Sequence, residues 1–387
     1  MPRKFCAFVL AFLTATISVA GCGNGAQSAP AAAAGTSGAG NDAIGSVNIY
    51  NWSDYVAEDT VANFQTRSGL RVNYDVYANN ETLVEKLAVS PNAYDLVFPS
   101  ARPFADVMVK KGQLLTLDKQ KLPNLRHLDP GILAELAAID PGNQHLVPYM
   151  WGTTGIGMNT EKVRAALGAN AALDTWGLVF DPATASRLSA CGIGILDDNL
   201  ETTSALQLWQ GRSVNERSPK TDDANKRVLL AIRPHIRKVT GSSELIKDLA
   251  SGDLCLVLGF SGDVLQAKAL AEENAKGVEI RYVIPREGAV RWIDVMAIPK
   301  QARNVDNAHR FIDYLLDPKV IADITNVVNY ANANAASTPL IDAAVSGDPG
   351  IYPPKTVRAK LQGIDALSAS DAERGEQTWH AFVFGEM

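Results

Sequence analysis

The run Val47-Asn48-Ile49-Tyr50-Asn51-Trp52-Ser53-Asp54-Tyr55 concentrates side chains that could do chemistry. Val47 and Ile49 alternate as in a strand, whose carboxyl end then delivers Trp52, Ser53, Asp54 and Tyr55. In an α/β sheet that end faces the crevice where ligands bind. Indole and phenol rings offer electron-rich faces to an alkyl chain or a cation, and Asp54 offers the counter-charge. The chemistry suits a small organic cation, although an aromatic strand cap uses the same residue types.

The mixture recurs. Phe260-Ser261-Gly262-Asp263 follows an expected strand over 254–259. Trp292-Ile293-Asp294 opens another, with Trp292 and Asp294 on one face by the two-residue period of a strand. Asp197-Asp198 and Glu201 follow the strand-like run 192–196. One such cluster is an ordinary cap or solvated turn; repetition at corresponding places points to one shared pocket. An ammonium taken out of water requires a carboxylate partner, because an unpaired buried charge is costly. The methylene chain between two ammoniums favours aromatic walls, each buried CH₂ contributing about 0.8 kcal/mol. Acids and aromatics in this mixture fit a linear polyamine better than a sugar or a peptide.

Catalytic constellations are missing. There is no Gly-x-Ser-x-Gly elbow, no His-Glu-x-x-His helix and no Walker-type phosphate loop. The five histidines are scattered, none near another at metal-ligand spacing. Ser53 and Asp54 are adjacent on a strand, so they point to opposite faces, and Ser53 reads as a ligand contact rather than a nucleophile. Gly155-Ile156-Gly157 lacks the third glycine of a dinucleotide loop. No enzyme activity, cofactor or metal is expected.

The elements that must position these residues follow from the rest of the chain. Arg3 and Lys4 precede an apolar stretch to Ala20, too short for a stable membrane span and typical of a secretory signal. It ends Val19-Ala20-Gly21-Cys22, which resembles a bacterial lipobox, so residues 1–21 are expected to be removed and Cys22 lipidated. That cleavage would take away two positive charges and no acid, moving the net charge from -6 to -8. Such acidity opposes nucleic acid as a partner and favours a cationic ligand. Residues 22–45 are nearly all Gly, Ala, Ser, Asn and Pro, with Asp42 the one charge and no apolar period, the composition of a flexible tether. The remaining body of about 340 residues exceeds a usual single domain and is expected to form two lobes.

Within the body, short apolar strands alternate with amphipathic helices. Helices are expected over 57–66, from a cap at Asn80, and over 245–250, 264–273 and 308–316. Strands are expected over 70–77, 95–98, 254–259, 278–284 and 292–298. Strands separated by helices imply mostly parallel sheets covered on both faces. Cys191 and Cys255 remain after export; they are either a disulfide, as an oxidising compartment permits, or two separate buried thiols.

Several longer runs carry a resemblance. They are Tyr50-Asn51-Trp52-Ser53-Asp54-Tyr55, Asp95-Leu96-Val97-Phe98-Pro99-Ser100, Pro148-Tyr149-Met150-Trp151, Thr153-Thr154-Gly155-Ile156-Gly157, Tyr330-Ala331-Asn332-Ala333-Asn334 and Pro349-Gly350-Ile351-Tyr352-Pro353-Pro354. As a set, over about 47–360, they resemble the periplasmic polyamine-binding receptors of ABC importers, the putrescine and spermidine binders. The resemblance implies a type II-like two-lobe α/β fold with hinge crossovers, lobe 1 being 46–152 plus 286–335 and lobe 2 being 153–285 plus 336–387. It also implies a monomer tethered in the periplasm by its lipid alone, closing over a polyamine and delivering it to a permease.

By the same resemblance the pocket would hold Trp52, Ser53, Asp54, Tyr55 and Ser100, then Asp198, Glu201, Phe260 and Asp263, and finally Trp292, Asp294 and Tyr330. Asp54 with Asp294 would serve one end of the ligand, and Asp263 with Glu201 the other. Cysteines at positions matching Cys191 and Cys255 favour the disulfide. The preferred polyamine stays open. Phe260 stands where the family usually has Trp, Trp292 and Asp198 resemble spermidine binders, and Asp54 and Asp263 resemble putrescine binders. Arg102 would repel a cation if it faced the pocket. A polyamine sensor docking on a signalling receptor stands as the alternative, with a two-lobe enzyme further off.

Overall fold

A computed structural model describes residues 45–274 and 278–385. The expected secretory leader, the expected lipidation site at Cys22 and the expected tether up to residue 44 lie outside the described residues. The strands, in chain order, are β1 (Ser46–Trp52), β2 (Arg71–Tyr77), β3 (Leu96–Val97), β4 (Val147–Asn159), β5 (Ile193–Leu196), β6 (Lys238–Thr240), β7 (Leu256–Phe260), β8 (Ile280–Val283), β9 (Ala289–Met296), β10 (Ala331–Asn332) and β11 (Leu361–Gln362).

A small parallel sheet has the order β2-β1-β3, and a larger one runs β11-β9-β4-β7-β5-β6. Its β5, β6 and β7 are parallel, as helix-separated strands require. β4 departs from that pattern, running antiparallel to β7, β8, β9 and β10. The reason is connectivity: β4 and β9 link the two halves instead of filling one of them. β4 is buried along its whole length. β9 pairs with β4 from Val290 to Met296, while Asp294 and Ala297 bridge to Ser100 and Val97 of the small-sheet half. These two strands tie the lobes together.

Local chemistry sets the element ends. The helix Thr60–Ser68 starts three residues later than expected, buries Phe64 and stops at Gly69, whose φ of 70° suits glycine. The helix Asn80–Val89 is capped by Asn79, whose side chain accepts from Thr82 N–H, and not by Asn80. That one-residue difference frees the Asn80 side chain for the site. Cys191 and Cys255 are disulfide-bonded, with Cα atoms 5.5 Å apart. The bond ties the entrance of β5 to that of β7, its neighbour in the sheet.

Candidate functional site

The carboxyl ends of β1 and β7, the middle of β9 and the turn before β10 converge on one cavity with about 460 Å³ of empty space. Trp52, Ser53, Tyr55, Ser100, Asp198, Glu201, Phe260, Asp263, Trp292, Asp294 and Tyr330 line it. Asn80 and Ser242 join them, both missed in the sequence. The signal for Asn80 was present but ambiguous, because either asparagine of the pair Asn79-Asn80 could have been the cap. Ser242 opens the helix Ser242–Ser251 and looks like any helix-start serine until the fold brings it beside Asp263.

Asp294 is the most firmly held carboxylate of the cavity. It is buried, its Oδ1 accepts from Ser100 Oγ at 2.7 Å, and its Oδ2 accepts from Tyr55 Oη at 2.8 Å. Asn80 fixes the serine in turn: its amide oxygen accepts from Ser100 N–H at 3.0 Å and its Nδ2 donates to Ser100 Oγ at 3.1 Å. Burial raises the Asp294 carboxyl to about 7 against the lowering effect of the Ser100 and Tyr55 hydrogen bonds.

Asp263 lies in the first turn of the helix Ser261–Glu273. Burial raises it to about 6, opposed by hydrogen bonds from Tyr330 and Ser242. Glu201 follows Asp198, the cap of the helix Asn199–Trp209, whose Oδ1 accepts from Glu201 N–H at 2.9 Å. Burial first, and then the charge of Asp198, push Glu201 well above the ordinary carboxylate range. Asp198 is itself raised, chiefly by burial. Glu201 Oε2 and Asp263 Oδ2 are buried without a hydrogen-bond partner. Carboxylate oxygens in that condition call for a donor from elsewhere.

Aromatic rings close the walls. Tyr55 meets Tyr330 edge-on at 5.4 Å, Tyr330 meets Trp292 at 5.2 Å, and Trp292 meets Phe260 at 5.7 Å. Trp52 is anchored by its indole N–H on Phe98 C=O at 2.8 Å. Gly152 makes room for Trp292, since a Cβ there would sit 2.6 Å from the indole ring. The cavity is lined by carboxylates, hydroxyls, the Asn80 amide and ring faces, a set of groups suited to holding a cation.

Asp54 departs from expectation. It does not line the cavity; at φ 55° the chain turns its side chain to the exposed rim, where Oδ2 accepts from Ser243 Oγ at 2.8 Å. Its charge acts on Asp263, whereas Asp294 acts on Glu201. The acids therefore group as Asp54 with Asp263 and as Asp294 with Glu201 and Asp198, unlike the pairing of Asp54 with Asp294. Arg102 turns away to an ion pair with Asp365 at 2.7 Å, which removes the repulsion it would have caused inside.

This cavity sits between two α/β halves linked by crossing strands, and the family model of the bacterial extracellular solute-binding proteins matches residues 59–353. The chain belongs to that family. The solute-binding protein is 42% identical over 340 residues to the putrescine-binding periplasmic protein SpuD of Pseudomonas aeruginosa, covering 88% of this chain and 92% of that one. It is 46% identical over 318 residues to the putrescine-binding periplasmic protein PotF of Escherichia coli, covering 81% of this chain and 85% of that one. Its fold is shared by the spermidine/putrescine ABC transporter substrate-binding protein PotD of Streptococcus pneumoniae, at a TM-score of 0.70 and 24% identity, covering 89% of this chain and 100% of that one. The family is one of solute-binding transport proteins, not of enzymes.

Proposed function

We propose that this protein is an extracytoplasmic receptor that captures a linear polyamine, putrescine or spermidine, by lobe closure and hands it to the permease of an ABC importer. The observation that carries the reading is the pair of buried, unpartnered carboxylate oxygens on Glu201 and Asp263, in a cavity walled by Phe260, Trp292 and Tyr330 and facing Asp294. Each ammonium of a polyamine supplies donors to such oxygens, and the methylenes between them lie against the rings. Similarity to two putrescine-binding proteins supports the same ligand class.

In this reading the binding residues are Trp52, Ser53, Tyr55, Ser100, Asp198, Glu201, Phe260, Asp263, Trp292, Asp294 and Tyr330, with Asp54 acting from the rim. The lobes are 46–152 plus 286–335 and 153–285 plus 336–387. The receptor works as a monomer in the periplasm, held to the membrane through lipid on Cys22 and the tether that follows. Calorimetric titration of the mature, lipid-free protein with putrescine, cadaverine, spermidine and agmatine tests the ligand. Saturable binding of at least one supports the reading, and no heat from any of the four overturns it.

A further inference from the structure

Two of the cavity's acids hang on a short connector. Asp197 and Asp198 join β5 to the helix Asn199–Trp209, whose first turn carries Glu201. Asp198 and Glu201 line the cavity, and Asp198 Oδ1 caps the helix by accepting from Glu201 N–H at 2.9 Å. The placing of one carboxylate therefore sets that of the other. On the strand side the connector is held by its backbone. Asp197 N–H donates to Thr240 C=O of β6 at 2.9 Å, and Asp198 N–H to Leu196 C=O at 2.8 Å.

The residues on either side of Asp198 are both tied to the C-terminal helix Ala369–Phe384. Asp197 Oδ1 accepts from Trp379 Nε1–H at 3.1 Å, and Asn199 Nδ2 donates to Glu376 Oε1 at 3.3 Å. Gly375 permits the approach of the two helices, since a Cβ there would sit 3.2 Å from Asn199 Nδ2. A glycine inside a helix is otherwise unfavourable. The C-terminal helix is itself anchored towards both ends. Arg374 pairs with Asp222 of the helix Pro219–Ile232 at 2.7 Å, and Arg233 donates to Val383 C=O at 3.0 Å. Trp379 is buried, with Phe382 beside it at 5.2 Å between ring centres. No residue of this helix lines the cavity.

Given the polyamine reading, on which this rests, we infer that the C-terminal helix buttresses Asp198 and Glu201, and that Trp379 is a positioning residue for polyamine binding. Trp379 acts through Asp197 on the connector and makes no contact with the ligand. Without the indole N–H the connector loses the bond that holds Asp197 to the helix. It then samples positions in which Asp198 leaves its cap and Glu201 is displaced with it. A site that is competent for only part of the time binds more weakly in proportion to that fraction. Affinity is lost although every ligand-contacting group is still present.

The test uses the full mature chain and Trp379→Phe, which keeps a buried ring and removes the N–H. Calorimetry should find putrescine affinity about fivefold weaker in Trp379→Phe and in Asp197→Ala. Asp197→Asn, whose amide oxygen still accepts, should stay within about twofold of the parent. Trp379→Phe is then added to two backgrounds. In Asp198→Ala it should cost less than about twofold, and in Asp263→Asn the full fivefold again, because only the first shares its route to the ligand. A general loosening of the fold would cost the same in both. Amide hydrogen exchange without ligand gives a readout free of the polyamine. The Glu201 amide should exchange at least about threefold faster in Trp379→Phe, and the Asp263 amide at the parent rate. Parent-like affinity in Trp379→Phe, a loss in Asp197→Asn as large as in Asp197→Ala, equal losses in the two backgrounds, or unchanged exchange at Glu201 overturns the inference. A parent that binds no polyamine defeats the functional reading, and the exchange pattern still decides whether the helix positions these acids.

Discussion

Tyr330 donates its phenolic hydrogen to Asp263 Oδ1 at 2.6 Å, and its oxygen accepts the Asp263 backbone N–H at 3.2 Å. The two residues are 67 positions apart, one in the turn before β10 and the other opening a helix of the second lobe. Gly262 permits the approach, since a Cβ there would sit 2.6 Å from the Tyr330 ring. Asp263 is thus held by one oxygen, leaving Oδ2 for a ligand.

The first prediction follows from that arrangement. Asp263→Asn removes the charge facing an ammonium and should weaken putrescine binding by at least about 2 kcal/mol, roughly thirtyfold. Tyr330→Phe keeps the charge but removes the hydroxyl, and with it both the bond that orients the carboxylate and the bond accepted from the Asp263 N–H, and should cost about tenfold. Calorimetry on both variants, with circular dichroism to confirm folding, checks the order. Asp263→Asn binding within threefold of the parent would exclude this carboxylate from ligand contact.

Protonation gives the second prediction. Burial holds Asp294 at about 7 and Asp263 at about 6, both above the value of about 4 for an unfolded aspartate. An ammonium favours the ionised forms, so below these values the ligand must displace protons. Affinity should fall steadily from pH 8 to pH 5, and less steeply in Asp294→Asn. The sign for unliganded stability is opposite. Between about pH 4 and 7 the native state binds more protons than the unfolded chain, so stability falls as pH rises through that window. Thermal melts of the ligand-free protein between pH 4 and 8 should show this decline, and added putrescine should offset it most above pH 7. A melting temperature that climbs from pH 5 to 7 without ligand would contradict the assignment.

Much of this site was legible because strand ends and a two-residue period are local facts. Trp292 and Asp294 share a face by spacing alone, and Trp52, Ser53 and Tyr55 come from one strand end. Asp54 was misplaced because its left-handed backbone follows from the turn after β1, which periodicity does not encode. Asn80 was hidden because two adjacent asparagines compete for one cap, and only the fold shows which of them is free to reach Ser100. Arg102 could be understood only with Asp365, 263 residues away. The antiparallel crossing of β4 and β9 was equally out of reach, since long-range pairing leaves no mark on the local alternation of strands and helices.

The third prediction concerns Cys191 and Cys255, 64 residues apart and bonded. Closing a loop of that length is worth about 4 kcal/mol on the chain-entropy estimate. Thiol counting on denatured protein produced in the periplasm, residues 23 onward, should find no free cysteine. Reduction or Cys191→Ser with Cys255→Ser should lower the melting temperature while leaving polyamine affinity nearly unchanged, because neither cysteine lines the cavity. Two free thiols in the untreated protein would refute the bond in solution.

The fourth concerns closure. Trp52, Tyr55, Ser100 and Asp294 lie on the side of the small sheet, and Glu201, Phe260 and Asp263 on the other, so one ligand meets both sets only when the halves come together. A ligand shifts an open–closed balance only through such differential contacts. The rim contacts of Ser243 with Asp54 and of Arg102 with Asp365 are exposed and contribute at most about 1 kcal/mol each, and the Tyr330–Asp263 hydrogen bond leaves Asp263 Oδ2 open to a ligand. Saturating putrescine should therefore reduce the radius of gyration in solution scattering and change the emission of Trp52 and Trp292, which line the cavity. Asp263→Asn should lose that compaction at ligand concentrations that close the parent. A scattering profile unchanged by a ligand that calorimetry shows to be bound would refute hinge closure while leaving the binding site intact.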